Sequence, residues 1–106
     1  MIDNLDRCFV LTPYDPAEGL TLKQAAERAK KSPGTIRNWC GSEGIGRQIG
    51  GTWCVSKIAL EMYLDGEAKA LGRYLSGDRE SKDVISYFHR FGLLPQKPVN
   101  AQYGLP

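Results

Sequence analysis

Leu20-Thr-Leu-Lys-Gln-Ala-Ala-Glu-Arg-Ala-Lys-Lys-Ser-Pro-Gly-Thr-Ile-Arg-Asn-Trp-Cys40 is the stretch on which the fold turns. Thr21 is followed three residues later by Gln24. The hydroxyl can accept from a free N–H of a first helical turn, and the amide can reach back to the cap. Leu22, Ala25, Ala26 and Ala29 then recur at helical spacing, which predicts a helix from about 22 to 30. Its inner face is mostly alanine, so a second helix can approach closely. Lys30-Lys31 end the pattern. Ser32 is a good N-cap, and Pro33 suits the first helical position, where its missing N–H is not needed. A second helix is expected from about 33 to 42. Ile36, Trp39 and Cys40 fall on one face, with Gly34, Arg37, Asn38 and Gly41 on the other. Gly41 and Gly44 are the expected stops.

Downstream, Ile45 to Val55 contains two short runs around Gly50-Gly51. A glycine pair permits positive φ at both turn positions, as a tight hairpin requires. Ser56 can cap a third helix from Lys57, with Ile58, Leu60, Tyr63 and Leu64 as its core residues. An interruption near Gly66 is expected, the alternative being a continuation through Ala68, Leu71 and Leu75 to Ser76-Gly77. Residues 78–92 read as a last helix, because Val84, Phe88 and Phe91 fall at i, i+4, i+7. Upstream, Cys8-Phe-Val-Leu11 reads as a short strand or a packed arm, and Thr12-Pro-Tyr-Asp-Pro16 as a turn or linker. The fold class is therefore mainly α with a small β-hairpin. It comprises an N-terminal arm (1–19), a winged helix-turn-helix (20–65), a helical extension (66–94) and an irregular tail (95–106). Ile36, Trp39, Trp53, Ile58 and Leu64 are expected in one core.

Composition limits the function. The chain has 106 residues, 42% hydrophobic and 25% charged, which suits one globular core and excludes a wholly disordered chain. No stretch approaches the roughly 20 apolar residues that span a bilayer. The acidic start lacks the pattern of a signal peptide, so a cytoplasmic location without membrane contact is expected. Cys8, Cys40 and Cys54 are odd in number and form no Cys-x-x-Cys pair, and His89 is the single histidine. That signals neither a metal site nor a nucleophilic triad, so no catalytic residue, metal or cofactor is expected. The segment Gly41–Gly51 lacks the Gly-Lys-Ser/Thr ending of a phosphate-binding loop. Charge is uneven. Residues 1–20 carry net −3, residues 21–57 net +5 and residues 58–106 net 0. A basic centre in a near-neutral chain marks a contact with a polyanion or a solvated basic face.

Helix, tight turn, helix and ribbon within about 45 residues is an arrangement that reads DNA. Leu20-Thr-Leu-Lys-Gln-Ala-Ala-Glu27, Ser32-Pro-Gly-Thr-Ile-Arg-Asn-Trp39, Gly50-Gly-Thr-Trp-Cys-Val-Ser56 and Ala59-Leu-Glu-Met-Tyr-Leu64 together resemble the excisionase-like winged helix-turn-helix family, which is related to the DNA-binding domains of MerR-type regulators. The resemblance covers residues 20–65. It departs at Asn38, where the family usually has a basic residue, and at Gly46, where it often has proline. It implies double-stranded DNA binding without enzymatic activity. The implied roles are recombination directionality factor, small regulator or terminase-like packaging subunit, with an integrase or another DNA-processing protein as partner.

On that reading Arg37 and Asn38 are the base readers. Arginine donates bidentately to guanine, and asparagine pairs with adenine. Ser32, Gly34 and Thr35 bring the helix start to the phosphates, and Arg47 and Gln48 on the ribbon reach the flanking backbone or minor groove. Lys23, Lys30 and Lys31, with Arg28 beside them, are candidates for phosphate, which sets register without reading sequence; the alternative is that two of the four only face solvent. Trp39 and Trp53 are read as core. The apolar stripe of Val84, Phe88, Phe91, Leu93 and Leu94 either completes the domain's own core or supports self-association on DNA. The alternative in another class is an interaction adaptor that docks a partner through residues 84–94 while the acidic first 20 residues cover the basic face.

Overall fold

A computed structural model describes residues 8–96. The first seven residues of the expected arm and residues 97–106 of the expected tail lie outside that range.

The capping box forms as the sequence requires. The Gln24 N–H donates to Thr21 Oγ1 at 3.0 Å, and the Thr21 N–H donates to Gln24 Oε1 at 2.9 Å. Helix α1 runs Leu22–Ala29 and stops because Lys30 turns left-handed, at φ 59°. Helix α2 runs Pro33–Glu43, with Ser32 Oγ accepting the Thr35 N–H at 3.1 Å. Gly41 does not stop it. The helix continues two residues further and ends at Gly44, at φ 74°. Ala25 and Ile36, both fully buried, lie on the facing sides of the two helices.

The expected ribbon is strands β2 (Gly46–Ile49) and β3 (Thr52–Ser56), with Gly50 and Gly51 at φ 62° and 83° in the turn. A third strand, β1 (Gly19–Leu20), pairs antiparallel with the other side of β3, giving the order β1-β3-β2. Two residues are too few to show an alternation, so the sequence did not announce it. Gly46 is fixed by close approach. A Cβ there would lie 2.5 Å from the Cys54 carbonyl oxygen and 2.7 Å from Cys40 Sγ. This is why the proline common in the resembling family has no room here.

Helix α3 (Lys57–Leu64) is capped by Ser56, whose Oγ accepts the Ala59 N–H at 3.0 Å. The chain breaks at Gly66 and resumes as α4 (Ala68–Leu75). The last helix, α5 (Lys82–Arg90), is shorter than the expected 78–92. Its preceding residues are held in a turn by Asp78, which accepts the N–H groups of Glu80 and Ser81.

One hydrophobic cluster extends from Val10 to Phe88. The segment Cys8–Leu11 is a packed arm with Val10 and Leu11 buried, not a strand. Ile36 and Ile58 are fully buried, whereas Trp39 and Trp53 are half-buried against the cluster. Leu64 is a correction to the expected core, since it is 40% exposed. Ile58, Ala59, Leu60 and Met62 form the inner face of α3, and Leu64 falls outside that arc at the helix end. Val84 and Phe88 complete the core in cis. Phe91 is half-buried under two cations, the Arg28 guanidinium at 5.1 Å and the Lys57 ammonium at 5.8 Å, while Leu94 stays exposed.

The acidic arm also differs from expectation. Glu18 is buried and accepts from Ser56 Oγ at 2.5 Å and from the Tyr74 hydroxyl. Tyr74 in turn accepts the Leu11 N–H at 2.8 Å. The Arg79 guanidinium stacks 4.1 Å from the centroid of the Tyr74 ring and donates to the carbonyls of Tyr74, Asp78, Phe9 and Thr12. Asp15 caps the short 3₁₀ turn Pro16–Glu18. Two of the four acids of the first 20 residues therefore serve the fold instead of shielding the basic segment.

Candidate nucleic-acid interface

Helix α2 has one face in the core and one in solvent. Ile36 and Cys40 are buried. Ser32, Gly34, Arg37, Asn38 and Gly41 are exposed, and Thr35 is half-buried. The 3.6-residue period produces this split from Ile36 and Cys40 at i, i+4. The outward side forms an open groove bounded by Thr35, Arg37, Asn38, Gly41 and, from the ribbon, Trp53. All five expected contacts of α2 and its cap, Ser32, Gly34, Thr35, Arg37 and Asn38, are thus brought to one surface.

The ribbon extends that surface. Gln48 and Trp53 are directly paired across β2 and β3, and so project from the same sheet face. Arg47 is paired with Cys54 and projects from the other face. Arg47 is exposed as expected, and its guanidinium also donates to Thr12 Oγ1 at 2.8 Å, which steadies it against the arm. Strand β2 is one edge of the sheet, with the two-residue β1 at the other. A second cleft at the β2 edge is lined by Arg47, Gln48, Gly41 and Trp53 together with arm residues.

Lys23, Lys30 and Lys31 are exposed, on α1 and in the turn that follows it. They lie outside both clefts. Among the described residues neither these lysines nor Arg37 forms an ion pair. The pairs present are Arg28–Glu61, which ties one of the cations expected at phosphate to an acid of α3, Arg73–Asp83 and Arg90–Asp65. The basic segment therefore keeps most of its charge uncompensated, which is the electrostatic condition for holding a polyanion.

The cysteines take the apolar role. Burial, with the neighbouring Cys54 adding to it, pushes the Cys40 thiol up to about 11, far from a reactive thiolate. No group of three His, Cys, Asp or Glu residues able to hold a metal occurs among the described residues. No helix there is long and apolar enough to cross a membrane.

Two features of this surface differ from the sequence expectation. Trp53 packs against the core as expected but only half-buried, and its other side walls the α2 groove. Gly41, an expected stop, lies inside the helix. The available signal for Trp53 was its cross-strand pairing with the polar Gln48.

Searches among curated proteins and among solved structures return no match. A family model described as a helix-turn-helix domain matches residues 20–68, from β1 through the two capped helices, the hairpin and α3. This part of the chain is similar to a helix-turn-helix domain, and the match supports DNA binding through it.

Proposed function

We propose that the protein binds double-stranded DNA sequence-specifically, with α2 in the major groove and the ribbon on the flanking backbone or minor groove. The observation that carries this is the outward face of α2. Arg37 and Asn38 project beside an open groove, and Arg37 has no ion-pair partner among the described residues. A B-form major groove admits one helix, and these two side chains carry the donor patterns that distinguish guanine and adenine. The reading assigns no catalysis, metal or cofactor to the chain.

Within that class, the protein acts as an excisionase-type recombination directionality factor or a small regulator. It occupies adjacent sites cooperatively and bends the duplex, with an integrase or another DNA-processing protein as partner. Size supports this. One recognition helix and one wing bury only about 600–1,000 Å² on DNA, which is a small footprint for a selective site. Neighbouring copies on adjacent sites multiply it. A transcriptional regulator or packaging subunit would use the same interface. The adaptor alternative has less surface available than the sequence suggested, because Val84 and Phe88 are buried in the chain's own core.

Gel-shift titrations on duplexes from the gene's own neighbourhood, carrying one, two and three candidate sites, test this. Affinity should fall steeply as salt rises, and affinity per site should increase with site number. Salt-insensitive binding sinks the DNA reading. Equal affinity per site on all three duplexes sinks the cooperative one.

A further inference from the structure

Gly41 is a glycine that the fold itself does not require. It lies inside α2 with no left-handed φ, and a Cβ built on it meets nothing within 4 Å. Glycine inside a helix is less stable than alanine, because it loses more backbone freedom on folding and has no side chain to pack. Neither backbone geometry nor packing within the described residues accounts for its presence. Its place in the surface is specific. Gly41 and Trp53 are the two residues that line both the groove along α2 and the cleft at the free edge of β2. They therefore form the seam between helix and ribbon. Trp53 is only half-buried, a large apolar ring beside Arg37 and Asn38 on one side and Arg47 and Gln48 on the other.

A duplex lying along α2 with the ribbon against its flank must carry one sugar–phosphate strand over this seam. We propose that Gly41 and Trp53 form a seat for a deoxyribose of the bound duplex. The missing Cβ lets the strand approach the α2 backbone, and the indole covers the apolar C–H face of the sugar. Arg47 on the ribbon side holds the adjoining phosphate, while Arg37 on the helix side reads a base edge. This inference rests on the duplex-binding reading above and adds two positioning residues to it. Gly41 is then kept by the ligand at the expense of the helix.

That opposition of signs is the test. In the full chain, Gly41→Ala should raise the melting temperature by about 3 °C and weaken binding to the same duplex about tenfold. Gly72→Ala is the matched control. Gly72 is also inside a helix with open space around its Cβ, but on α4. It should raise the melting temperature similarly and leave affinity unchanged. A second measurement does not depend on either variant. The chain has two tryptophans, so Trp39→Phe leaves Trp53 as the sole emitter. Saturating duplex should lower its acrylamide quenching at least twofold. Trp53→Phe leaves Trp39, which packs edge-on to Tyr63 at 4.8 Å, and its quenching should not change. Parent-like affinity in Gly41→Ala, or quenching of Trp53 unaffected by duplex, overturns the seat while salt-sensitive binding by the parent still upholds the DNA reading. A parent that binds no duplex at low salt overturns both.

Discussion

Arg37 and Arg79 put the same side chain to opposite uses. Arg79 is 5% exposed and donates to four backbone carbonyls, two of them in the arm some 70 residues upstream. Arg37 is exposed and has no ion-pair partner among the described residues. A guanidinium is costly to bury unless its donors are satisfied, and Arg79 is kept because the chain supplies the acceptors. A guanidinium left in water on a basic face costs nothing to the fold and is available to a ligand. Partnering, more than burial alone, separates the cation that holds this molecule together from one left available to a ligand.

The contrast breaks most visibly if Arg79 is removed. Arg79→Ala leaves the carbonyls of Phe9 and Thr12 without their donor, removes one of the donors to the Tyr74 carbonyl and uncovers the Tyr74 ring. It should cost about 4 kcal/mol of stability in urea melts, given the worth of charged hydrogen bonds and the penalty for orphaned buried partners. Arg79→Lys should recover little, since a single ammonium cannot reproduce the fork. Affinity for DNA per folded molecule should be unchanged. Loss of affinity with full stability would show that the two arginines are not divided as described.

Arg37→Ala is the mirror experiment. It should leave the melting temperature unchanged and cost about 1–3 kcal/mol on a specific site, with relaxed preference at one base position. If cognate and random duplexes lose affinity equally, Arg37 contacts phosphate and does not read a base.

Sequence reading and structure agree where the signal is local. The capping box at Thr21 and Gln24, the Ser32-Pro33 start and the Gly50-Gly51 turn each depend on neighbours within four residues, and each formed as expected. The helix-turn-helix and the exposed face of α2 follow from them. What was not legible depends on distant contacts. Glu18 meets Ser56 and Tyr74 across 38 and 56 positions, and nothing local marks it as a core acid. Strand β1 exists only because β3 is beside it. Leu64 looked like core from hydrophobicity, but the phase of a helix that ends at that residue turns it outward.

Glu18 sharpens the comparison by pH. Burial raises its carboxyl above 4.5, against the Ser56 and Tyr74 hydroxyls and the charge of Arg79. A group held more acid-loving in the folded state contributes stability that is full below about pH 4.5 and is lost as pH rises through the folded value. Two surface carboxyls act the other way. The Tyr87 hydroxyl, with Arg90 and against desolvation, holds Asp65 below 3.8. Asp78 is desolvated, but hydrogen bonds from Ser81 and the Glu80 N–H outweigh that and also hold it below 3.8. Their contribution is present above about pH 4 and lost as pH falls. Stability should therefore climb as pH rises towards about 4 and decline above about 4.5. Glu18→Gln should keep the climb and lose the decline in thermal melts taken across that range. A decline that persists in the variant would place its origin elsewhere.

The smallest expected effect belongs to Lys31, in the turn between α1 and α2. Its N–H closes the end of α1 on the Ala26 carbonyl at 3.0 Å, so the backbone is structural while the side chain is exposed and free of ion pairs among the described residues. An exposed lysine is a point charge without the fork that reads a base, so it belongs with Arg37 in availability but not in specificity. Lys31→Ala should leave stability within about 0.5 kcal/mol of the parent. It should weaken binding to every duplex alike and reduce the slope of log affinity against log salt by about one unit, the signature of one fewer phosphate neutralised. The slope decides between two accounts of the same modest loss. An unchanged slope would mean that Lys31 acts by placing α2 and not by meeting a phosphate. The unpartnered cations would then have to be divided again, between those that touch the duplex and those that only face it.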